Sequence, residues 1–331
     1  MSLAYVWKSS KNSGYLSNWS SLIFADGKYV AIGDSGYVAY STDGKTWNKS
    51  NQVSSDICGH LAYGQGKYVC VGYANSIVST NAKLWESVPF EYHAHCIRYE
   101  DNKKIFLAGC QEGIIYSSNG TDWQIAEVPV EDKWVSIEGN SGWGYNAFGE
   151  HGNIIHSDDC ITWSFIKTVD FVISKAIGGI KANAANLGFL VYARKSGSDL
   201  EKLYHCDLSL YYWHESNLSY INPLGTIYDD NCFIISSASS YFYSEDGENW
   251  FEYQTGGTGR YKSLLTKGDG QLVALNQYEW AACGKKELVT TNKNIPEIVT
   301  GMAIPSSTPG STKRFKITVD DSGTISAVEV K

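Results

Sequence analysis

The sequence predicts an all-β protein: a seven-bladed β-propeller of four-stranded antiparallel blades, closed by its N-terminal strand and followed by a small C-terminal β-hairpin. Three observations carry this. Tryptophan recurs at Trp47, Trp85, Trp123, Trp163, Trp213 and Trp250, a spacing of about 40 residues that marks a repeat architecture. Several of these residues close a short motif: Ser41-Thr42-Asp43-Gly44-Lys45-Thr46-Trp47, Ser117-Ser118-Asn119-Gly120-Thr121-Asp122-Trp123 and Ser244-Glu245-Asp246-Gly247-Glu248-Asn249-Trp250. Between the motifs lie short runs of β-branched and aromatic residues, separated every few positions by turn signals.

The first repeat shows the grammar. Ser21-Leu22-Ile23-Phe24 is a short apolar run, and Asp26-Gly27 is a hairpin signal. Tyr29–Ile32 and Tyr37–Tyr40 supply two more strands, and Asp43-Gly44 turns the chain into a fourth at Trp47. Four strands in about 35 residues describe one propeller blade. The second repeat runs through Leu61–Tyr63, Tyr68–Val71 and Ser76–Val78 to Trp85; the third through Cys96–Tyr99, Ile105–Ala108 and Ile114–Tyr116 to Trp123. The fourth has Val135–Ile137, Tyr145–Phe148 and Asn153–Ile155 before Trp163, in a motif variant without the glycine. The fifth is stretched by an insertion at Arg194–Lys202, and the sixth leads through Cys232–Ile235 and Tyr241–Tyr243 to Trp250.

A seventh repeat starts near Tyr261, with Ser263–Leu265, Leu272–Leu275 and Leu288–Thr291, but lacks a tryptophan and a fourth strand. The segment Tyr5-Val6-Trp7-Lys8-Ser9 resembles Thr46-Trp47-Asn48-Lys49-Ser50. The N-terminal strand is therefore expected to complete the last blade, which removes an open sheet edge. The propeller spans 1–296 on this reading. Residues 297–331 form a linker, Gly301–Thr312, and a hairpin of Arg314–Val319 and Thr324–Val330.

Composition narrows the function classes. The 331 residues carry a formal net charge of -8 and four arginines, Arg98, Arg194, Arg260 and Arg314. No basic run exists to track phosphates, so nucleic acid is not an expected partner. No apolar run approaches the roughly 18 residues of a spanning helix, and the N-terminus lacks a signal-peptide pattern; assembly in a cytoplasm is expected. The eight cysteines show no Cys-x-x-Cys spacing, which argues against a zinc cluster or disulfide scaffold. Cys58/Cys70 and Cys96/Cys110 are expected to lie close on paired strands as buried thiols.

The Ser-x-Asp-Gly-x-x-Trp segments resemble the Asp-box of sialidases and other Asp-box (BNR-repeat) propellers. That resemblance implies a structural turn between the third and fourth strands, on the face opposite the usual ligand site. Asp43, Asp246, Trp47, Trp85, Trp123, Trp163 and Trp250 take this structural role, with the tryptophans in the core. The stretch Ser311–Ser326 looks like the end of tail-associated proteins of phages and prophages of Gram-positive gut bacteria.

A sialidase would need three arginines converging on a carboxylate, plus a Tyr–Glu nucleophile pair and an acid Asp. With Arg314 outside the ring and Arg194 in an insertion, that set is not met. Asp34, Glu112 and Glu150 sit in equivalent loops between second and third strands, where solvated turn residues are the ordinary explanation. His60, His93 and His95 could meet near one rim, but packed histidines are commoner than ligands at strand ends. No catalytic residue, metal ligand or cofactor is assigned.

What remains is a surface. The loops between second and third strands and the inter-blade segments share one propeller face. They gather Asp34, Tyr73, Asn75, Tyr92, His93, Glu112, Glu150, His151, Tyr278 and Trp280, with Asp132 nearby. Aromatic rings beside amides and carboxylates suit sugars, whose flat faces stack while polar groups read hydroxyls. Trp280 stands out because it breaks the repeat pattern, inside an apparent insertion at Asn276–Lys286. The expected function is non-catalytic: a phage or prophage tail protein that recognises a host-surface carbohydrate or protein, located in the virion. Other tail proteins and a second copy docked through the C-terminal hairpin are expected partners. The alternatives are a glycan-active hydrolase or lyase, and a purely structural tail or baseplate component.

Overall fold

A computed structural model describes residues 3–11, 19–33, 36–51, 58–179, 188–207, 209–218, 225–229, 232–236, 240–244, 247–254, 263–276, 280–288, 304–305, 314–319 and 325–330. All named elements in them are strands. Six four-stranded sheets each use four consecutive strands. Blade 1 comprises Trp19–Ala25, Lys28–Gly33, Val38–Ser41 and Asn48–Lys49; blade 2 comprises Cys58–Gly64, Lys67–Gly72, Ser76–Ser79 and Glu86–Val88. Blade 3 has Ala94–Glu100, Ile105–Cys110, Ile114–Ser117 and Gln124–Ile125, and blade 4 has Trp134–Asn140, Gly144–Gly149, Asn153–Ser157 and Ser164–Thr168. Blade 5 has Phe171–Gly179, Gly188–Lys195, Lys202–Asp207 and Trp213–Glu215; blade 6 has Thr226–Asp229, Cys232–Ser236, Ser240–Ser244 and Phe251–Gln254. One more four-stranded sheet orders Ser263–Gly268, Gln271–Asn276 and Trp280–Leu288, with Leu3–Lys11 as its outer member.

The first two strands of a blade are joined where the sequence demands a mirror-image turn. Asp26-Gly27, Gln65-Gly66 and Asp269-Gly270 all have both residues at positive φ, between 48° and 74°. That is the type I′ geometry whose twist matches paired strands. The first strands of successive sheets lie side by side from blade 1 to blade 6, then against Ser263–Gly268, which returns to blade 1.

The motif tryptophans lock neighbouring sheets. Trp85 of blade 2 is buried with Val30, Ile32 and Val38 of blade 1, and Trp163 of blade 4 with Leu107 and Ile114 of blade 3. Trp250 joins Leu190 and Tyr192 of blade 5, and Trp47 joins Leu264, Val273 and Leu275. Trp123 packs against blade 2 residues as well, yet only partly buried; its place in the core is shallower than the repeat implies. Cys96, Cys110, Cys160 and Cys206 are outside any disulfide. Burial pushes the Cys96 thiol up to about 12 and Cys110 higher still.

Three sequence expectations change. The third strand of the last repeat is Trp280–Leu288, paired in register from Leu275↔Ala281 to Gln271↔Lys285. Trp280 therefore opens a strand, and Asn276 and residues 280–286 are strand where the sequence suggests an inserted loop, with 277–279 outside the described residues. Phe171–Gly179 and Thr226–Asp229 are first strands the pattern did not mark. The C-terminal segment is a three-stranded sheet, because Ile304-Pro305 pairs with Phe315 and Arg314 within the supposed linker.

The chain divides into two compact units, Trp7–Lys285 and a smaller one of Met1–Val6 with Lys286–Lys331. The smaller unit holds the three-stranded sheet, whose hairpin runs in register from Arg314↔Val330 to Val319↔Ile325.

Candidate functional site

In blades 1 to 5 the register of the first strand shifts once near its start. The extra residues are Ser20, Gly59, His95, Val135 and Ser174. A bulge bends its strand and re-aims the side chain it carries. All five lie toward the end where the inter-blade segments arrive and the loops between second and third strands turn back.

At blades 2 and 3 this face gathers five of the predicted residues. Tyr73, 68% exposed, stacks on His93 with ring centroids 3.8 Å apart and an interplanar angle of 24°. Their backbones are bridged, and Ala74 N donates to Tyr92 O at 3.0 Å. Glu112 clamps His93 twice: Oε1 lies 2.6 Å from Nδ1, and Oε2 accepts from the backbone N at 3.0 Å. Tyr92 turns inward, edge-on to Phe90 at 5.6 Å, and burial beside Glu91 raises its phenol. Asn75 closes the turn, its carbonyl accepting from Gly72 N at 2.9 Å.

Blade 4 repeats the histidine–carboxylate pairing with the order reversed. Here the acid, Asp132, sits on the incoming segment and the histidine, His151, on the loop between strands two and three. Nδ1 of His151 lies 2.7 Å from Asp132 Oδ1. Asp132 also accepts from Lys133 N at 2.7 Å, His151 N at 3.2 Å and Asn153 Nδ2 at 3.0 Å. Lys133 Nζ pairs with Glu150 Oε1 at 3.0 Å, and Glu150 N donates to Lys133 O at 2.8 Å. The link between the two clusters is the bulge residue His95. Removal from water lowers its pKa, the Lys133 cation lowers it further, and Glu150 and Glu112 oppose both. His60 follows on blade 2: desolvation, reinforced by His95 and Lys175, lowers it to about 4. His60 and His95 therefore do lie near one another, each with a lysine cation also acting on it, Lys175 on His60 and Lys133 on His95. No group of three or more metal-ligating side chains occurs among the described residues.

The sequence marks neither Lys133 nor Asn153 as a site residue: one precedes a strand and the other opens one, with no distinguishing motif around either. Asp34 and Tyr278 lie outside the described residues. Trp280 is placed as the first residue of its strand.

The motif turns are self-contained. Asp43 Oδ1 accepts from Lys45 N at 2.8 Å and Thr46 N at 2.7 Å, while Ser41 Oγ accepts from Gly44 N at 2.9 Å. Asn81, Asn119 and Asp159 do the same in blades 2, 3 and 4. Asp246 lies outside the described residues. Arg98 spends its guanidinium on Ile137 O and Gly139 O at 3.1 and 2.9 Å, and Arg194 on Ser198 O within its own insertion.

The four-stranded antiparallel blades and the closed succession of first strands define the chain as a β-propeller. No protein-family model matches the sequence, and neither does any curated protein sequence. Solved structures match in shape. YCF48 bound to D1 peptide aligns with a TM-score of 0.65 at 13% identity, covering 86% of this chain and 97% of that one. Virginiamycin B lyase from Staphylococcus aureus aligns at 0.66 and 8% identity, covering 86% and 100%. YCF48 from Cyanidioschyzon merolae aligns at 0.59 and 15%, again covering 86% and 100%. Likeness at this identity establishes the fold alone.

Proposed function

We propose that the chain is a non-catalytic binding module of a phage or prophage tail. On this reading it recognises a host-surface glycan or protein through the face that carries Tyr73, His93, Glu112, His151 and Glu150. The observation that supports it best is the continuity of that cluster: the exposed Tyr73 ring stacked on His93, running into two histidine–carboxylate pairs and a lysine. A π face beside fixed charges and donors is what a sugar or a polar peptide needs. The YCF48 propeller was solved with a D1 peptide, so protein stays beside glycan as the ligand class. The tail assignment rests on the resemblance of Ser311–Ser326, with assembly in the host cytoplasm, location in the virion and contact with other tail proteins. The C-terminal sheet is the proposed route to a homo-oligomer. We read the ring as seven Asp-box-type blades, the last completed by Leu3–Lys11, because that strand is the outer member of the final four-stranded sheet.

The test is binding of the full chain to an array of bacterial cell-wall glycans and to host cells, compared with Tyr73→Ala and His93→Ala. Selective binding that falls by about tenfold in both variants, without product release, is expected. Binding that ignores both substitutions would overturn the assignment of the face. A second reading, a glycan-active hydrolase or lyase, is favoured by one observation: a buried carboxylate orients an exposed imidazole through Nδ1, as in a proton-transfer pair. Release of new reducing ends from host polysaccharide, abolished by His151→Ala, would establish it in place of the first.

A further inference from the structure

On the opposite face, between blades 4 and 5, lies a small open cleft of about 160 Å³, smaller than the roughly 300 Å³ and more of drug-sized ligand sites. It shares no residue with the cluster above. Its wall is Trp143, at the tip of the first hairpin of blade 4 and 63% exposed. Asn140 fixes that tip, its Oδ1 accepting from Gly142 N at 2.8 Å and Trp143 N at 3.2 Å. The indole is thus held out by a rigid turn without being needed in the core. Phe189, Ile166 and Leu210 make an apolar floor.

The far edge is polar. His156 stands between Asn146 Oδ1 at 3.2 Å and Asp158 Oδ1 at 3.3 Å. Its ring packs so closely on Gly144 that a Cβ there would come within 2.4 Å of Cε1; glycine, at φ 74°, lets the imidazole reach this position. Ser209 adds a hydroxyl at the mouth, beside Asp207. With Asp158 and Asp207 on the rim, an anion is disfavoured.

We propose that this cleft is a second binding site, for the ring of a neutral pyranose. A pyranose offers one apolar face of C–H groups and an equatorial belt of hydroxyls. Trp143 matches the first, and the Asn146 amide and the Ser209 hydroxyl match the second, with His156 holding Asn146 in place. The proposal stands independently of what the opposite face binds.

Saturation-transfer NMR on the full chain tests it, with methyl β-glucopyranoside, methyl β-galactopyranoside and methyl N-acetyl-β-glucosaminide as probes and sorbitol as a ring-less control. At least one glycoside is expected to receive saturation on its ring C–H protons, and to shift the Trp143 indole N–H resonance. Trp143→Ala should weaken that binding about tenfold, with Trp143→Phe recovering most of it. The melting temperature of Trp143→Ala should match the parent, since the ring is outside the core. No transfer from any glycoside, equal transfer to sorbitol, or binding that persists in Trp143→Ala without movement of the indole resonance would overturn the site.

Discussion

Asp132 and His151 form a pair whose partners live in different media: the aspartate side chain is 0% exposed and the histidine 71%, with 2.7 Å between them. The burial decides what each substitution does. Asp132 gathers donors from His151, Lys133 and Asn153, so its removal leaves several part-buried polar groups unpaired, at up to about 1–3 kcal/mol each. Gly149 faces it so closely that a Cβ there would come within 2.1 Å of the carboxylate. Asp132→Ala is expected to cost about 3 kcal/mol, and His151→Ala less than about 1 kcal/mol. Denaturant titrations of the two variants check this; equal costs would place the stability in the ion pair instead of the buried acid.

The motif aspartates should give the fold an acid-sensitive limb. Partial burial works against ionising Asp43, but hydrogen bonds from Thr46, Lys45 and Ser41 outweigh it and hold its pKa at about 2, below the usual 3.8. Asp159 is lowered by the same arrangement. A depressed folded-state pKa contributes stability that is present above the unfolded value and lost as pH falls through the folded one. Melting temperature is therefore expected to drop between pH 4 and pH 2. In the double variant Asp43→Asn, Asp159→Asn that slope should flatten. Asn81 and Asn119 already show that an amide oxygen can take the same two backbone donors.

The residue after the motif acid tests backbone strain. Gly44, Gly120 and Gly247 have φ of 70°, 77° and 78°, and the same position holds Ala82 at 62° and Cys160 at 69°. Gly120→Ala adds a Cβ that would lie 2.5 Å from Val69 Cγ2. Left-handed backbone and overpacking together should cost about 2–4 kcal/mol. Ala82→Gly relieves about 1 kcal/mol of strain while removing a buried methyl of about 0.8 kcal/mol, so its stability should stay within about 1 kcal/mol of the parent. Thermal melts of the two variants separate the cases.

Hairpins, motif turns and the packing role of the tryptophans were legible because each is local: Asp26-Gly27 and Asp43-Gly44 specify their own geometry. The expected face also gathers Tyr73, His93, Glu112, Glu150 and His151, because equivalent loops in a repeat must land together. What could not be read is whatever depends on an extra residue or on depth. Nothing in Ala94-His95-Cys96 announces the bulge that sets His95 between two acids and a lysine. Trp280 reads as a loop residue because a missing motif looks like an insertion, whereas it opens a strand that pairs with residues 271–275. Nothing in the sequence marks Trp143 or the cleft it borders, because Trp143 lies off the 40-residue spacing.

The tryptophans that do follow the spacing differ in depth, and their loss should scale with it. Trp163 is 4% exposed among Leu107, Ile114, Ala126 and Tyr145, bridging blades 3 and 4. Trp123 is only partly buried and meets Phe90 edge-on at 5.8 Å. Trp163→Ala opens a cavity between two sheets and should cost about 3–5 kcal/mol. Trp123→Ala, where solvent can fill part of the space, should cost about half as much. Because each first strand contacts the next around the whole circuit, the loss at one junction is shared, and both variants should still unfold in a single transition. Guanidinium titrations followed by fluorescence and circular dichroism measure both points. Two separated transitions in Trp163→Ala would mean that the junction between blades 3 and 4 is a boundary between independently folding parts.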